Sequence, residues 1–343
     1  MRRVPRLAAM IASTAVLALT ASACGESSTE SNSGEDLGPA IAFDVGGRDD
    51  ASFNESAARG ADQAADELGL EIEYATARNE ETDADRVQRL ESLANAGHNP
   101  VIAVGYLYGN AVERVAADYP DTTFGIVDAT AEGDNVYSMV FAEHEGSYLA
   151  GVAAALKTES GQVGFIGGVN NPLIQKFEAG FVQGVQDTDD SIDVQVEYLY
   201  ENDDRGFNDV ARAADKASGM LDRGIDVIYT AAGQSGMGAI EEVAAADGAW
   251  AIGVDSDQYE QPGLRDYRDS ILTSVVKSVD LAVFDLIEQV ENGESPSGVH
   301  EYTLAEGGVS LATSGGFIDD ISDEIEDAQQ RITDGETEVS ETP

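Results

Sequence analysis

Asp44-Val45-Gly46-Gly47-Arg48-Asp49-Asp50-Ala51-Ser52-Phe53-Asn54-Glu55-Ser56-Ala57-Ala58-Arg59-Gly60 is the stretch on which the reading of this chain turns. It follows a short apolar run, residues 39–43, that reads as a strand, and it leads into an Ala-rich segment with helical spacing. Gly46 and Gly47 allow a sharp turn at the strand end, where a Cβ would meet steric cost. Ser52 and Glu55 stand in capping-box spacing, which predicts that the helix begins there. Phe53 and Asn54 then fall at the helix N-terminus, beside unpaired backbone N–H groups. In an open α/β sheet this strand-to-helix crevice is where ligands sit. An aromatic ring in so polar a turn has two readings: one wall of a ligand crevice, or a staple of the helix to its own sheet.

Outward from this turn, strand-like and helix-like runs alternate, the signature of βα units in a mostly parallel sheet. Strands are expected at 71–75, 100–105, 123–128 and 135–141, with helices at 82–96 and around 111–119. A second set begins with a helix at 143–151 and a strand at 162–168 that ends on Gly167 and Gly168, repeating the strand, glycine-pair, helix design. Strands at 194–198, 226–230, 249–255 and 271–274 follow, the last leading into a long amphipathic helix that ends near residue 293. Two such sets predict two similar lobes with ligand between them, against strand C-termini from both. Expected boundaries are 39–142 with 275–305 for the N-terminal lobe and 143–274 with 306–330 for the C-terminal lobe. An acidic, frayed tail is expected at 331–343.

The first residues carry Arg2, Arg3 and Arg6, then an apolar run ending in small residues before Cys24, the only cysteine of the chain. This predicts an export signal over 1–23. Cys24 stands where a bacterial lipobox carries its acylated cysteine, although Ala21 replaces the more usual leucine. Residues 24–38, rich in Ser, Glu, Asn and Gly, suit a flexible tether. The expected location is the extracytoplasmic face of the cell membrane, held by lipid on Cys24. No later apolar run is long enough to span a bilayer.

With 65 acidic against 19 basic residues, the formal net charge is −46. No basic stripe exists to meet phosphates, which excludes nucleic-acid binding. Self-repulsion of such a surface suits a salt-adapted source.

Enzyme signatures are scarce. Gly233-Gln234-Ser235-Gly236 approaches a nucleophile elbow, but Met237 stands where the last glycine is needed, and there is no Walker lysine loop. His98, His144 and His300 lack metal-ligand spacing. The catalytic alternative is a metal-dependent surface hydrolase using Asp255 and Asp257, two carboxylates just after a strand. A binding site for a neutral ligand accounts for more. Asp44, Asp128 and Asp255 each end a predicted strand, and ionised carboxylates suit hydroxyl and N–H donors. Phe53 and Phe207 sit in polar loops, one in each expected lobe, and two rings can sandwich a flat ring. Lys277, at the expected start of the long helix, is either a cleft residue or a surface partner of Asp280 or Glu291.

These motifs resemble the basic membrane protein family, lipoproteins that bind purine nucleosides for bacterial ABC importers. The resemblance rests on residues 44–47 and 50–54 and extends through 141–151, 163–168, 176–181, 252–258 and 272–277, in order over nearly all of the chain past the tether. It implies a type I periplasmic-binding-protein fold, α/β, with two Rossmann-like lobes, a ligand cleft and three hinge crossovers. It implies that Phe53 and Phe207 hold the base, and that Asp44, Asn54 and Asp128 read base edges or ribose. Asp255 would accept from ribose hydroxyls, Lys277 would reach the sugar, and Gly233 would let the backbone approach the ligand. A nucleoside and ABC permease subunits are the implied partners, with no enzyme activity, no cofactor, no bound metal and a monomeric state. A sugar or other small-solute receptor of the same fold is the alternative within binding proteins. Two departures stand out: the loop over 200–209 is longer than the family's, and Gln234 and Ser235 replace a glycine and a threonine.

Overall fold

The computed structural model describes residues 37–78 and 81–343. The expected export segment, Cys24 and the tether up to residue 36 lie outside the described residues.

The first lobe runs β1 (Ala40–Ala42), α1 (Phe53–Leu68), β2 (Glu73–Ala75), α2 (Asp83–Ala96), β3 (Val101–Val104), α3 (Gly109–Ala116), β4 (Phe124–Val127) and β5 (Val136–Phe141). The chain then crosses into α4 (Glu143–Lys157), β6 (Gln162–Val169), α5 (Pro172–Thr188), β7 (Asp193–Tyr200), α6 (Val210–Asp222), β8 (Val227–Ala231), α7 (Gly236–Ala245), β9 (Trp250–Asp255) and β10 (Ile271–Lys277). It returns through α8 (Val279–Glu291) and β11 (Gly298–Tyr302), and crosses a third time into β12 (Val309–Leu311) and α9 (Ser322–Thr333).

The sheets are ordered β2-β1-β3-β4-β5-β11 and β7-β6-β8-β9-β10-β12, the same doubly wound order in each lobe. Pairing is parallel except between β10 and β12, where Val275 faces Leu311 and Lys277 faces Val309. Central strands such as β1, β3 and β4 are buried on both faces, which is why they read as unbroken apolar runs rather than alternating ones. In β1, Ile41 joins a core cluster shared with α1 and α8, while Ala40 and Ala42 face the cluster of α2 and α3. In the second lobe, α4 and α5 pack backbone to backbone: a Cβ on Gly180 or Gly184 would collide with the carbonyl oxygens of His144 and Tyr148.

Several expectations are corrected. β10 continues to Lys277 because the β-branched pair Val275-Val276 is paired on both sides, by β9 and β12. Lys277 is therefore the last residue of a strand, not the first of the long helix, and the crossing falls at Ser278. The two glycine pairs do different work. Gly46 and Gly47 take φ of 97° and 72° to make the turn after β1. Gly167 and Gly168 remain inside β6, where a Cβ on Gly168 would lie 2.8 Å from the Phe207 ring. β11 and β12 were not legible in the sequence, since short edge strands carry little apolar signal. The tail is packed rather than frayed: Ile332, at the end of α9, is buried, as is Val339, and the Ser340 N–H donates to Gln183 Oε1 at 2.8 Å.

Candidate functional site

All eight residues expected to meet the ligand line one cleft between the lobes. Asp44, Phe53 and Asn54 come from the turn after β1, and Asp128 from the end of β4. Gly233, Asp255 and Lys277 follow or end β8, β9 and β10, and Phe207 comes from the loop after β7. The parallel sheets point their carboxyl ends at each other, so residues far apart in sequence converge there.

The turn after β1 is built differently from its capping-box reading. α1 does begin at Phe53, but the Ser52 side chain caps nothing. The Asp50 carboxylate accepts from the backbone N–H groups of Ser52 at 2.9 Å, Asn54 at 3.0 Å and Glu55 at 3.1 Å. The helix N-terminus is thereby occupied from within. Burial nevertheless raises Asp50 to about 6, against the pull of those N–H donors. Ser52 Oγ instead crosses the cleft and donates to Asp255 Oδ2 at 2.6 Å. Around it, Ser256 Oγ donates to the Ser52 carbonyl at 2.8 Å and Gln258 Nε2 to the Ala51 carbonyl at 3.2 Å.

Asn54 is committed to the same turn. Its Oδ1 accepts from the Asp44 N–H at 3.0 Å, and its Nδ2 donates to the Val45 carbonyl at 3.0 Å and to Asp50 at 2.9 Å. Both amide hydrogens are used within the protein, so Asn54 holds Asp44 in place and has no hydrogen left for a ligand. Asp44 Oδ1 accepts from the Val45 N–H at 2.8 Å. Asp44 is 7 % exposed, and burial pushes its carboxyl up to about 7.

Lys277, 2 % exposed, is the ammonium at the centre of the cleft's charges. It lies 2.6 Å from Asp128 and 3.1 Å from Glu143, which opens α4 at the first crossover. The Phe53 and Phe141 rings lie 5.1 Å from its nitrogen and the Phe177 ring 5.7 Å. Burial works against its charge, but Asp128, Glu143 and Asp255 together raise it above the ordinary lysine value. Glu143 goes up to about 7, burial outweighing the nearby ammonium. Burial likewise raises Asp255, with Lys277 and Ser52 opposing. The expected alternative partners of Lys277, Asp280 and Glu291, do not contact it; Asp280 pairs with Arg59.

Backbone strain collects in the turns on this side of the sheets. Among the described residues, the non-glycine positions with positive φ are Ala51 (56°) and Asp128 (67°), after β1 and β4, and Asp255 (64°), the last residue of β9. Asp tolerates the left-handed region better than most residues, so the turn chemistry and the site chemistry coincide at Asp128 and Asp255. Gly233, with φ of 53°, packs beside the Phe207 backbone. The two carboxylates of the hydrolase alternative part ways: Asp255 faces the cleft, whereas Asp257 accepts from Ser314 Oγ at 2.5 Å. Among the described residues no group of three or more His, Cys, Asp or Glu is arranged to hold a metal ion.

Residues that sequence reasoning did not nominate also line the cleft: Tyr106, Leu173, Ile174 and Phe177. Tyr106 lies two residues past β3 and opens a 3₁₀ turn, as Asp44 lies two residues past β1, so the same strand-end rule reaches it. The other three come from the first turns of α5, which Asn171 caps and Pro172 starts, aiming its N-terminus at the cleft.

The family model for PnrA-like ABC transporter substrate-binding proteins matches residues 39–342. The chain belongs to this family. It is 35% identical to the CD4+ T-cell-stimulating antigen of Listeria innocua over 98% of each chain. It is 33% identical to the ABC transporter nucleoside-binding protein BmpA of Lactococcus lactis subsp. cremoris over 96% of each. A solved solute-binding protein of an ABC transporter system from Aeropyrum pernix K1 superposes with a TM-score of 0.77 at 27% identity, covering 90% of this chain and 94% of that one. The two mostly parallel sheets and three crossovers are thus the type I periplasmic-binding-protein fold, and the protein is an ABC transporter substrate-binding protein.

Proposed function

We propose that this receptor captures a nucleoside, with a purine base, between its lobes and delivers it to an ABC permease without chemical change. The observation that carries this reading is that Phe53 and Phe207, from opposite lobes, bound one cleft together with Asp44, Asp128, Asp255 and Lys277. A flat base between two rings gains ~1–3 kcal/mol per stacking contact. Hydroxyls of a ribose suit carboxylates, and hydrogen bonds to charged groups are worth ~1.5–3 kcal/mol each. Micromolar binding needs about 8 kcal/mol, which these contacts can supply once closure excludes water. The relative from Lactococcus lactis that is named a nucleoside-binding protein supports the same assignment. In this reading Asp44 meets the ligand directly and Asn54 acts by fixing Asp44. Lobe closure is the signal passed to the permease. The receptor works as a monomer, tethered to the extracytoplasmic face of the membrane through lipid on Cys24.

Calorimetry with guanosine, inosine, adenosine, cytidine and ribose tests this. Heat with a purine nucleoside is expected; heat with ribose and none with any nucleoside would overturn it. Incubation with nucleoside and Mg²⁺ is expected to release no free base. Release abolished by Asp255→Asn would make the protein an enzyme.

A further inference from the structure

One contact joins the two lobes directly at the rim of the cleft. Tyr106, which follows Gly105 at the end of β3, donates its hydroxyl to Asp204 Oδ1 of the other lobe at 3.0 Å. Its ring meets Phe207 edge-on, with centroids 6.3 Å apart and planes at 71°. Asp204 and Phe207 bound a single 3₁₀ turn, Asp204–Phe207, within the lengthened loop between β7 and α6.

That turn is fixed to its own lobe. Asp203 accepts from the Arg205 N–H at 3.0 Å and pairs with its guanidinium at 2.6 Å. The Tyr200 hydroxyl donates to Asp209 at 2.7 Å, and the Asp209 N–H donates to Ser235 Oγ at 2.7 Å. Gly206 sits so close to Gly168 that a Cβ on it would collide with the Gly168 carbonyl. Asp204 is thus a rigidly placed acceptor. The crossovers leave from β5, β11, β10 and β12 at one side of the two sheets, whereas β3 lies further in and β7 is the opposite edge strand. A contact this far from the hinge must break when the lobes part.

From this geometry we infer that Tyr106 and Asp204 form a latch across the cleft that sets how fast a bound ligand leaves. They are positioning residues: the hydroxyl is spent on Asp204 and the ring braces Phe207, so their effect reaches the ligand through closure. The inference rests on the receptor reading above but not on the ligand's being a nucleoside. Loss of one hydrogen bond to a carboxylate is expected to speed dissociation roughly ten-fold. Association should hardly change, because the latch forms after encounter.

The experiment is stopped-flow displacement on the full chain, using whichever of guanosine, inosine, adenosine, cytidine or ribose binds the wild-type protein. A wild type that takes ribose alone overturns the nucleoside reading, and the latch is then tested with ribose. Tyr106→Phe keeps the ring and removes the hydroxyl; it should raise the dissociation rate about ten-fold, with the association rate and the ligand-free melting temperature unchanged. Asp204→Asn, which keeps an oxygen acceptor, should cost less than Asp204→Ala. The double variant Tyr106→Phe/Asp204→Ala should dissociate no faster than the worse single variant. Unchanged dissociation in Tyr106→Phe, or effects of the two substitutions that simply multiply, would overturn the latch.

Discussion

Replacing Asp44 by Asn isolates the cost of the buried carboxylate beside Asn54. Asp44 is 7 % exposed, and burial raises its carboxyl from 3.8 to about 7, with Asp204 and Glu81 adding to the rise and the Val45 N–H and Arg86 opposing it. At about 1.36 kcal/mol per pH unit, a shift of roughly three units sets a ceiling of about 4 kcal/mol. Water reaching the cleft lowers that towards about 2 kcal/mol. The sign follows from proton counting. Below pH 4 both folded and unfolded chains hold the proton, and the group contributes nothing to the pH dependence. Between about pH 4 and pH 7 the unfolded chain has released it while the folded chain retains it, so stability falls as pH rises. Above about 7 the loss is complete. The amide introduced by Asp44→Asn would not titrate, and its oxygen can still accept from the Val45 N–H. Urea unfolding of both proteins at pH 4 and pH 8 gives two differences, and the contributions of Asp50 and Glu143, raised in the same direction, cancel between variant and wild type. The variant is expected to gain ~2–4 kcal/mol on the wild type between the two pH values. A stability difference that does not change with pH would refute the argument that Asp44 is folded as a neutral acid at low pH.

Four further outcomes are expected. Phe53→Ala should weaken nucleoside binding by ~1–3 kcal/mol in calorimetry; unchanged affinity would return Phe53 to a packing role. Lys277→Met should destabilise the fold by ~3–5 kcal/mol near neutral pH, because Asp128 and Glu143 lose their buried cation. Acidification should reduce that loss by protonating Glu143, and a loss equal at pH 5 and pH 8 would refute the role of charge. Gly180→Ala should lower stability by ~1–3 kcal/mol, since α4 and α5 must separate to clear the His144 carbonyl. Molar salt should raise the melting temperature of a chain with net charge −46, and indifference to salt would rule out self-repulsion as a limit on its stability.

The strand-end rule was the most informative sequence signal. It depends only on an apolar run followed by glycine or a carboxylate, and it reached Asp44, Asp128 and Asp255 because parallel strands in one sheet place their C-termini together. Tyr106 obeyed the same rule but was not read from it. Phe177 and Ile174 were hidden for another reason: at helical spacing in an apolar helix, a cleft-facing residue looks like a core-facing one. The Ser52–Glu55 capping signal placed the start of α1 correctly while misreading the cap. Asp50 lies two residues earlier and took the N–H groups, and the position of Asp255 on the other lobe turned Ser52 across the cleft.

Local chemistry alone therefore marked the βα alternation, the start of α1 at Phe53 and the strand-end positions of Asp44, Asp128 and Asp255, since each depends on near neighbours in the chain, whereas the end of β10 and the edge strands β11 and β12 needed pairing partners. The partner of each polar group was decided only by the tertiary structure. Lys277 between Asp128 and Glu143, Asn54 spent on its own turn, and Tyr106 locked to Asp204 all join residues across sequence separations or turn geometries that no local pattern encodes. Burial then changed what those groups are chemically. A carboxyl removed from water holds its proton to higher pH even with a cation nearby, and that burial exists only in the folded chain.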